Sequence, residues 1–377
     1  MKLLYILNVA NRVNNFSHSS MYAAQECKHE FHIAGNWGYT SEKDRQDDEE
    51  KYRINIHQID FKRFPMSPGN KKACEQLVNL MKRENFKAVH CNTPIGGVLG
   101  RICAKKLGIK KVIYQVHGFH FYKGAPKLNW LLYYPIEKLL ARYTDALITI
   151  NTEDYEFAKK HLKLRNNGEI YYVPGVGINS SDYTPDENTR EEKRNELGFK
   201  PDDFVMISAG ELNENKNNSV IISALAKCEN KNFHYVLCGI GPLEQQLKNQ
   251  AQQLGVADRV HFLGYRTDMK ELLCASDCFV MPSFREGLSR SIMEAMSTGL
   301  PCIVSKIRGN VDLVVEGKGG YLCEPTDADE FSKAISVLGQ DAVLRKNIKE
   351  FNLEKIKEFD LGVVTERMKE IYSENFY

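Results

Sequence analysis

Residues 278–305 read CFVMPSFREGLSRSIMEAMSTGLPCIVS. The apolar run 278–281 is expected to be a strand that ends at Pro282. A turn-like segment follows, then an apolar helical pattern that stops at Gly299-Leu300-Pro301. Residues 302–305 form another short strand. A strand, a helix and a strand in so short a stretch make the repeating unit of a parallel sheet. Two carboxylates stand in it eight positions apart, Glu286 beside a glycine in the turn and Glu294 inside the helix.

The same alternation runs outward in both directions. Strands are expected at 3–9, 32–35, 55–59, 88–91, 111–117 and 145–151, with helices at 20–28, 71–85, 97–107, 128–143 and 151–161. Residues 173–185, VPGVGINSSDYTP, are dense in Gly, Pro, Ser and Asn and read as a linker. The pattern restarts with strands at 204–209, 234–239 and 260–263 and helices at 217–227 and 243–254. A last helix covers 356–372. This repetition predicts an α/β protein of two doubly wound domains with a cleft between them. A chain of 377 residues has room for two. The expected division is 1–178, joined by the C-terminal helix 359–377, and 179–358.

The net charge of +2 hides an asymmetry. Residues 1–180 carry 27 Lys and Arg against 17 Asp and Glu, whereas residues 181–377 carry 24 against 32. A basic first half points to an anionic surface or substrate; scattered solvated charge is the plainer alternative. The ten cysteines contain no CxxC pair, and no zinc set is completed by histidines. Buried free thiols in a reducing compartment fit their apolar surroundings. The start, MKLLYILNVANRV, reads as a first strand rather than a signal peptide, and no window has 18 apolar residues. The expected location is therefore cytoplasmic.

Ligands in doubly wound sheets sit outside the carboxyl ends of strands. Four loops of the second half fall there. In Ala209–Asn218, Gly210 permits close backbone approach, and Lys216 stands just before a helix, where an ammonium and backbone N–H groups suit a diphosphate. In Cys238–Leu243, Gly239 and Gly241 resemble half of a dinucleotide fingerprint without its downstream acid. Tyr265 and Arg266 follow a strand and offer an aromatic face and a cation to a base. The fourth loop holds Arg285 and Glu286. Its bland reading is a solvated Glu286 and a capping box, Ser291-x-x-Glu294. A glycosidase pair, held roughly 5–9.5 Å apart, is not the natural product of this spacing, because eight helical residues rise about 12 Å. Two contacts to one elongated ligand fit better. In the first half, His117 ends a strand before a glycine, within QVHGFHFYK, and Cys91-Asn-Thr-Pro also follows a strand.

Taken together, these residues resemble glycosyltransferase family 4, the retaining GT-B enzymes. Glu286 and Glu294 match its EX7E motif, supported by Glu294-Ala-Met-Ser-Thr-Gly-Leu-Pro, the Lys216 loop and the Gly239 loop. The segments HGFHFYKGAP, TINTEDY and GELNENKN look like a bacterial capsule and exopolysaccharide branch. The resemblance implies two Rossmann-like domains facing each other, with the last helix crossing back to the first. It implies that Glu294 binds the ribose of a nucleotide sugar, that Glu286 faces the sugar or its leaving phosphate, and that Gly287, Leu288 and Ser289 offer amides. Lys216, with Asn215 and Gly210 in its loop, would meet the diphosphate. Tyr265 and Arg266 would flank the base, and His117 would touch the donor sugar. His18, Thr93 and His120 are expected on the acceptor side.

The chain departs from the family in two places. Glu211 stands where an arginine usually precedes the lysine, and the first strand lacks the common Gly-Gly loop. A carboxylate cannot stabilise a diphosphate, so Arg285 is expected to take the role, with Arg308 in reserve. On that expectation Arg285→Ala cuts turnover strongly. The implied activity is metal-independent, retaining transfer of a hexose or N-acetylhexosamine from a UDP-sugar to a hydroxyl of a glycan or polyprenyl-diphosphate-linked acceptor. No cofactor and no nucleic acid are expected. An anionic membrane surface is a further partner for the basic half, through residues 128–143 with Trp130, Tyr133, Tyr134, Lys138 and Arg142; packing of that helix on the sheet is the alternative. Competing functions on this scaffold are a nucleotide-sugar epimerase and a non-catalytic nucleotide-sugar or glycan-binding subunit.

Overall fold

The computed structural model describes residues 1–64 and 67–376. They form two compact units, one of Ile178–Asp360 and one of the residues before Gly177 and after Leu361, these two included. No helix among the described residues is long and apolar enough to cross a membrane.

The first unit alternates β1 (Lys2–Val9), α1 (Asn15–Glu26), β2 (Glu30–Asn36), α2 (Glu42–Tyr52), β3 (Asn55–Gln58), α3 (Gly69–Glu84), β4 (Ala88–Asn92), α4 (Pro94–Lys106), β5 (Lys111–Val116), α5 (Lys127–Ala141), β6 (Ala146–Thr149), α6 (Thr152–His161) and β7 (Glu169–Tyr172). Its sheet is parallel, in the order β3-β2-β1-β4-β5-β6-β7. The winding reverses between β1 and β4, which opens a crevice at their carboxyl ends. Strands such as KLLYILNV are apolar on both faces because helices cover both.

The helix EKDRQDDEEKY has almost no apolar stripe, so pattern reading passes over it. It is tied down by Asp48, whose carboxylate accepts from Arg12 Nε at 2.9 Å and from the Val13 amide at 2.9 Å. The helix expected at 20–28 begins at Asn15, capped by Asn14, which accepts from the Phe16 amide. Within α5, the aromatics expected at an interface turn inward. Trp130 and Tyr134 pack at steep angles around Phe121, with ring centroids 5.4 and 5.5 Å away. The packing alternative therefore holds for those residues.

The second unit contains α7 (Glu187–Leu197), β8 (Phe204–Ala209), α8 (Asn218–Lys227), β9 (Phe233–Cys238), α9 (Glu244–Gln253), β10 (Val260–Gly264), α10 (Met269–Ala275), β11 (Cys278–Met281), α11 (Arg290–Ser297), β12 (Cys302–Ser305), α12 (Asn310–Leu313), β13 (Gly320–Cys323), α13 (Ala328–Gln340) and α14 (Ala342–Lys355). Its sheet runs β10-β9-β8-β11-β12-β13, all parallel, with the switch between β8 and β11.

The last helix, α15 (Leu361–Phe376), returns to the first unit. Val364, Met368, Ile371, Tyr372 and Phe376 join Leu3, Tyr5 and Ile33 in one buried cluster. Tyr372 Oη lies 2.7 Å from His90 Nδ1, and Tyr171 donates to Glu374 at 2.8 Å. The residues just before it, Ile356–Phe359, form a separate 3-10 turn, so the helix starts later than its sequence pattern implies.

Candidate active site

At the switch point of the second sheet, the loops after β8 and β11 are stitched together. Asn215 accepts from the Phe284 amide at 2.8 Å through its carbonyl, and its side chain donates to the Arg285 carbonyl at 3.1 Å. Asn217 adopts the left-handed conformation (φ 52°) that asparagine tolerates, and its side chain donates to the carbonyls of Pro282 and Pro325. Asn213 caps the short turn by accepting from the Lys216 amide at 3.1 Å. This stitching brings Lys216 Nζ to 2.8 Å from Glu286 Oε1, with both side chains largely withdrawn from solvent. The ammonium keeps further donors for a second anion.

The glycines of the neighbouring loops have a local explanation. A side chain on Gly239 (φ 155°) would collide with the Gly210 carbonyl, and one on Gly241 would collide with the backbone of Leu212. Gly210 donates its amide to Cys238 O at 2.9 Å. The glycines thus let two loops lie backbone on backbone.

The helix α11 is capped by Ser289, whose hydroxyl accepts from the Ile292 amide at 3.5 Å. The capping-box reading of Ser291 and Glu294 does not hold, because the helix begins one residue before Ser291. Glu294 lies in mid-helix. Its Oε1 accepts from Tyr183 Oη at 2.9 Å and from Arg290 Nε at 2.8 Å. Oε2 takes no donor among the described residues. A carboxylate oriented through one oxygen and open at the other is suited to a ligand hydroxyl. Burial, and then the Glu294 charge, push the Tyr183 phenol up to about 12, so it remains a donor. No acidic side chain occupies the first turn of α11, which leaves its positive end without an acid of its own helix.

The two arginines part company. Arg285 is exposed, and among the described residues only its carbonyl is engaged, by Asn215. Arg308, only 6% exposed, lies after β12 with Nε 3.4 Å from the Glu286 carbonyl. Gly309 (φ 80°) admits this contact, since a side chain there would collide with Gly287 O. Glu211 is exposed and accepts from Asn213 Nδ2 at 3.0 Å. Tyr265 is 75% exposed, whereas Arg266 is bound by Asp268 through Nε at 2.7 Å.

In the first unit, the switch point gathers a separate group. His117 packs on the Phe16 ring at 4.2 Å, and its Nε2 lies 3.2 Å from Asn92 Oδ1. Burial pushes its pKa down to about 3, so the imidazole is neutral. The Asn92 amide nitrogen is buried with no partner among the described residues. Thr93 has φ 61° and ψ 159°, a region almost reserved for glycine. His120 leans on Tyr133 at 4.7 Å. His18, expected on the acceptor side, stacks with Tyr22 and leans on Tyr52, while Phe16, two residues away on α1, is the residue that packs on His117. Among the described residues, no three His, Cys, Asp or Glu side chains cluster so as to hold a metal ion.

Tyr183, Asn217 and Phe16 escape sequence reading, and Asn92 is reached only as part of its loop. Tyr183 lies in the segment read as linker. The signal for Asn92 is its place at a strand's carboxyl end.

Known proteins share this design. The family model described as glycosyl transferases group 1 matches residues 189–355, and one described as glycosyl transferase 4-like matches 20–151. The EpsD protein of Bacillus subtilis, described as a glycosyltransferase, is 35% identical over 320 residues, 84% of either chain. The UDP-Gal:α-D-GlcNAc-diphosphoundecaprenol α-1,3-galactosyltransferase of Escherichia coli is 34% identical over 306 residues, covering 80% of this chain and 79% of that one. The crystal structure of Anabaena HepE with UDP and glucose superposes with a TM-score of 0.79 at 20% identity, over 99% of this chain and 100% of that one. The chain belongs to the group 1 glycosyltransferases and has their GT-B fold of two Rossmann-like units.

Proposed function

We propose that the protein transfers a hexose or N-acetylhexosamine from a UDP-sugar to a hydroxyl of a polyprenyl-diphosphate-linked glycan in bacterial surface polysaccharide synthesis. The observation that carries this reading is the convergence of Lys216, Glu286 and Arg308 beside the amino end of α11. As the anomeric bond breaks, negative charge grows on the leaving diphosphate. Lys216, Arg308 and the α11 amides supply the compensating charge, which is the largest kind of contribution to such a step. Glu294 accepts from the ribose hydroxyls, oriented by Tyr183. Neutral His117 offers a hydrogen bond, not a charge, to a ligand at the crevice of the first unit.

The E. coli relative names UDP-Gal and a diphosphoundecaprenol acceptor. That supports a UDP-sugar and a lipid-linked acceptor here. It also supports action at the cytoplasmic membrane face, where such an acceptor resides. Retention rests on the match of Glu286 and Glu294 to the family motif. Metal independence rests on the two cations already present for the leaving group.

The test is UDP release and product formation from a panel of nucleotide sugars, with and without a synthetic polyprenyl-diphosphate N-acetylhexosamine. Acceptor-dependent UDP release, unaffected by EDTA, and a product anomer matching the donor are expected. Interconversion of the donor without acceptor would identify an epimerase. Tight nucleotide-sugar binding without turnover would identify a binding subunit.

A further inference from the structure

Cys74 on α3 and Cys103 on α4 face each other, with their sulfurs 3.3 Å apart. Of the ten cysteines nine are buried, and Cys74 alone reaches solvent in part. Access for a reagent and a second sulfur in contact thus coincide at one place in the chain. Cys278 and Cys302 also neighbour each other, on the paired strands β11 and β12, but both are fully buried.

The packing holds the first pair together. The helix α4 is pressed onto the sheet, since a side chain on Gly97 would collide with Tyr114 and one on Gly100 with Cys91 Sγ. Cys103, further along the same helix, is fully enclosed, and its thiol donates to the Cys74 carbonyl at 3.8 Å. The sulfurs of a disulfide lie about 2.0 Å apart, so closure asks for a movement of about 1.3 Å, which side-chain rotation can supply. The two thiols also differ in a way that suits stepwise chemistry. Burial, and then the neighbouring Cys74 sulfur, push the Cys103 thiol up, while the Lys106 charge acts in the opposite sense. Cys103 is therefore inert by itself, and Cys74 is the sulfur an oxidant meets.

From this arrangement we infer that Cys74 and Cys103 form a reversible oxidation site, which a hydroperoxide converts to a disulfide. The Cys74 thiolate attacks a peroxide oxygen and the O–O bond breaks. The leaving oxygen takes up the proton that the thiol gave up, and departs as water or an alcohol. Cys74 is then a sulfenic acid. The Cys103 sulfur attacks the Cys74 sulfur, the S–O bond breaks, and the hydroxyl leaves as water with the Cys103 proton. Two thiols are oxidised to one disulfide, and one hydroperoxide is reduced. The partner makes the modification reversible, because a sulfenic acid without one proceeds to sulfinic and sulfonic acids. The bond also closes residues 75–102 into a loop that carries β4, Asn92 and Thr93, which makes the oxidised first unit harder to unfold. This chemistry lies outside the proposed sugar transfer and is read without it.

The test is treatment of the reduced full chain with a small excess of hydrogen peroxide, followed by thiol alkylation in denaturant, intact mass and a peptide map. Loss of two of the ten thiols is expected, with a peptide pair joined through Cys74 and Cys103 that dithiothreitol separates. Cys74→Ser should keep all its remaining thiols under the same treatment, and its partly exposed site should leave thermal unfolding unchanged. Cys103→Ala should instead accumulate oxygen on Cys74 that dithiothreitol does not remove. Full retention of the ten thiols in the wild type would overturn the proposal. So would a disulfide that joins other cysteines or two chains, or a Cys74→Ser variant that loses thiols as the wild type does.

Discussion

Lys216 Nζ and Glu286 Oε1 lie 2.8 Å apart although 70 residues separate them in the chain. The pair forms because Asn215 ties the loops after β8 and β11 together through its carbonyl and its side chain. Glu286 holds the ammonium in place, and the proposed transfer puts the leaving diphosphate beside it. Lys216→Ala is expected to lower kcat by roughly 10²–10³-fold with a smaller change in KM. Steady-state rates with a UDP-sugar would read this, and an effect confined to KM would remove Lys216 from transition-state stabilisation.

Arg308 should matter more than Arg285. The former is buried beside Glu286; the latter is exposed, with its carbonyl engaged by Asn215. Arg308→Ala is expected to lower kcat/KM by at least about tenfold, and Arg285→Ala by less. The reverse ranking in parallel assays would return the diphosphate role to Arg285, as the sequence alone favours.

In the proposed site Tyr183 is a positioning residue, because it donates to Glu294. Tyr183→Phe deletes one charge-assisted hydrogen bond and should raise KM for the nucleotide sugar about tenfold while sparing kcat. Calorimetric titration with UDP should show the same loss. Unchanged UDP affinity would mean that Arg290 alone orients the carboxylate.

Thr93 holds a conformation that costs about 1–3 kcal/mol for a side-chain-bearing residue. Thr93→Gly relieves it, less the extra entropy of glycine in the unfolded chain. The thermal midpoint should rise by about 2–4 °C. If it falls, the hydroxyl contact to the Asn92 carbonyl outweighs the backbone cost.

Burial pushes both His90 and His117 down to about 3, against an ordinary value near 6.5. Below that ordinary value the unfolded chain binds protons that the folded chain refuses. Stability is therefore full above about pH 6.5 and falls as the pH drops toward 3. Thermal midpoints across this range should show the slope, and His90→Gln should flatten it. Above pH 5, neither histidine should contribute an inflection to kcat/KM.

Much of the fold was legible in the sequence because buried parallel strands are apolar runs, and helices between them show their periodicity. The strand at Cys278–Met281 and the stop at Gly299 are examples. Elements without that signal were lost. The charged α2 is anchored by one buried carboxylate, and β13 is four residues opening on a glycine. At the site, Glu286, Glu294 and Lys216 announce themselves by residue type and spacing. Tyr183 does not, since its partner lies 111 residues away and only the fold joins them. The inward turn of Trp130 and Tyr134 was likewise invisible, because composition does not say which face of a helix is pinned.

The placement of α15 also sets an order of assembly during translation. The face of the first sheet that holds Leu3, Tyr5 and Ile33 is closed by residues the ribosome delivers only after all of the second unit. At roughly 5–20 residues per second, the nascent first unit waits on the order of ten to forty seconds with that apolar face open. The second unit, contiguous in the chain, suffers no such delay. The half that is begun first is thus the half that is finished last, and it is the natural client for a chaperone in the interval.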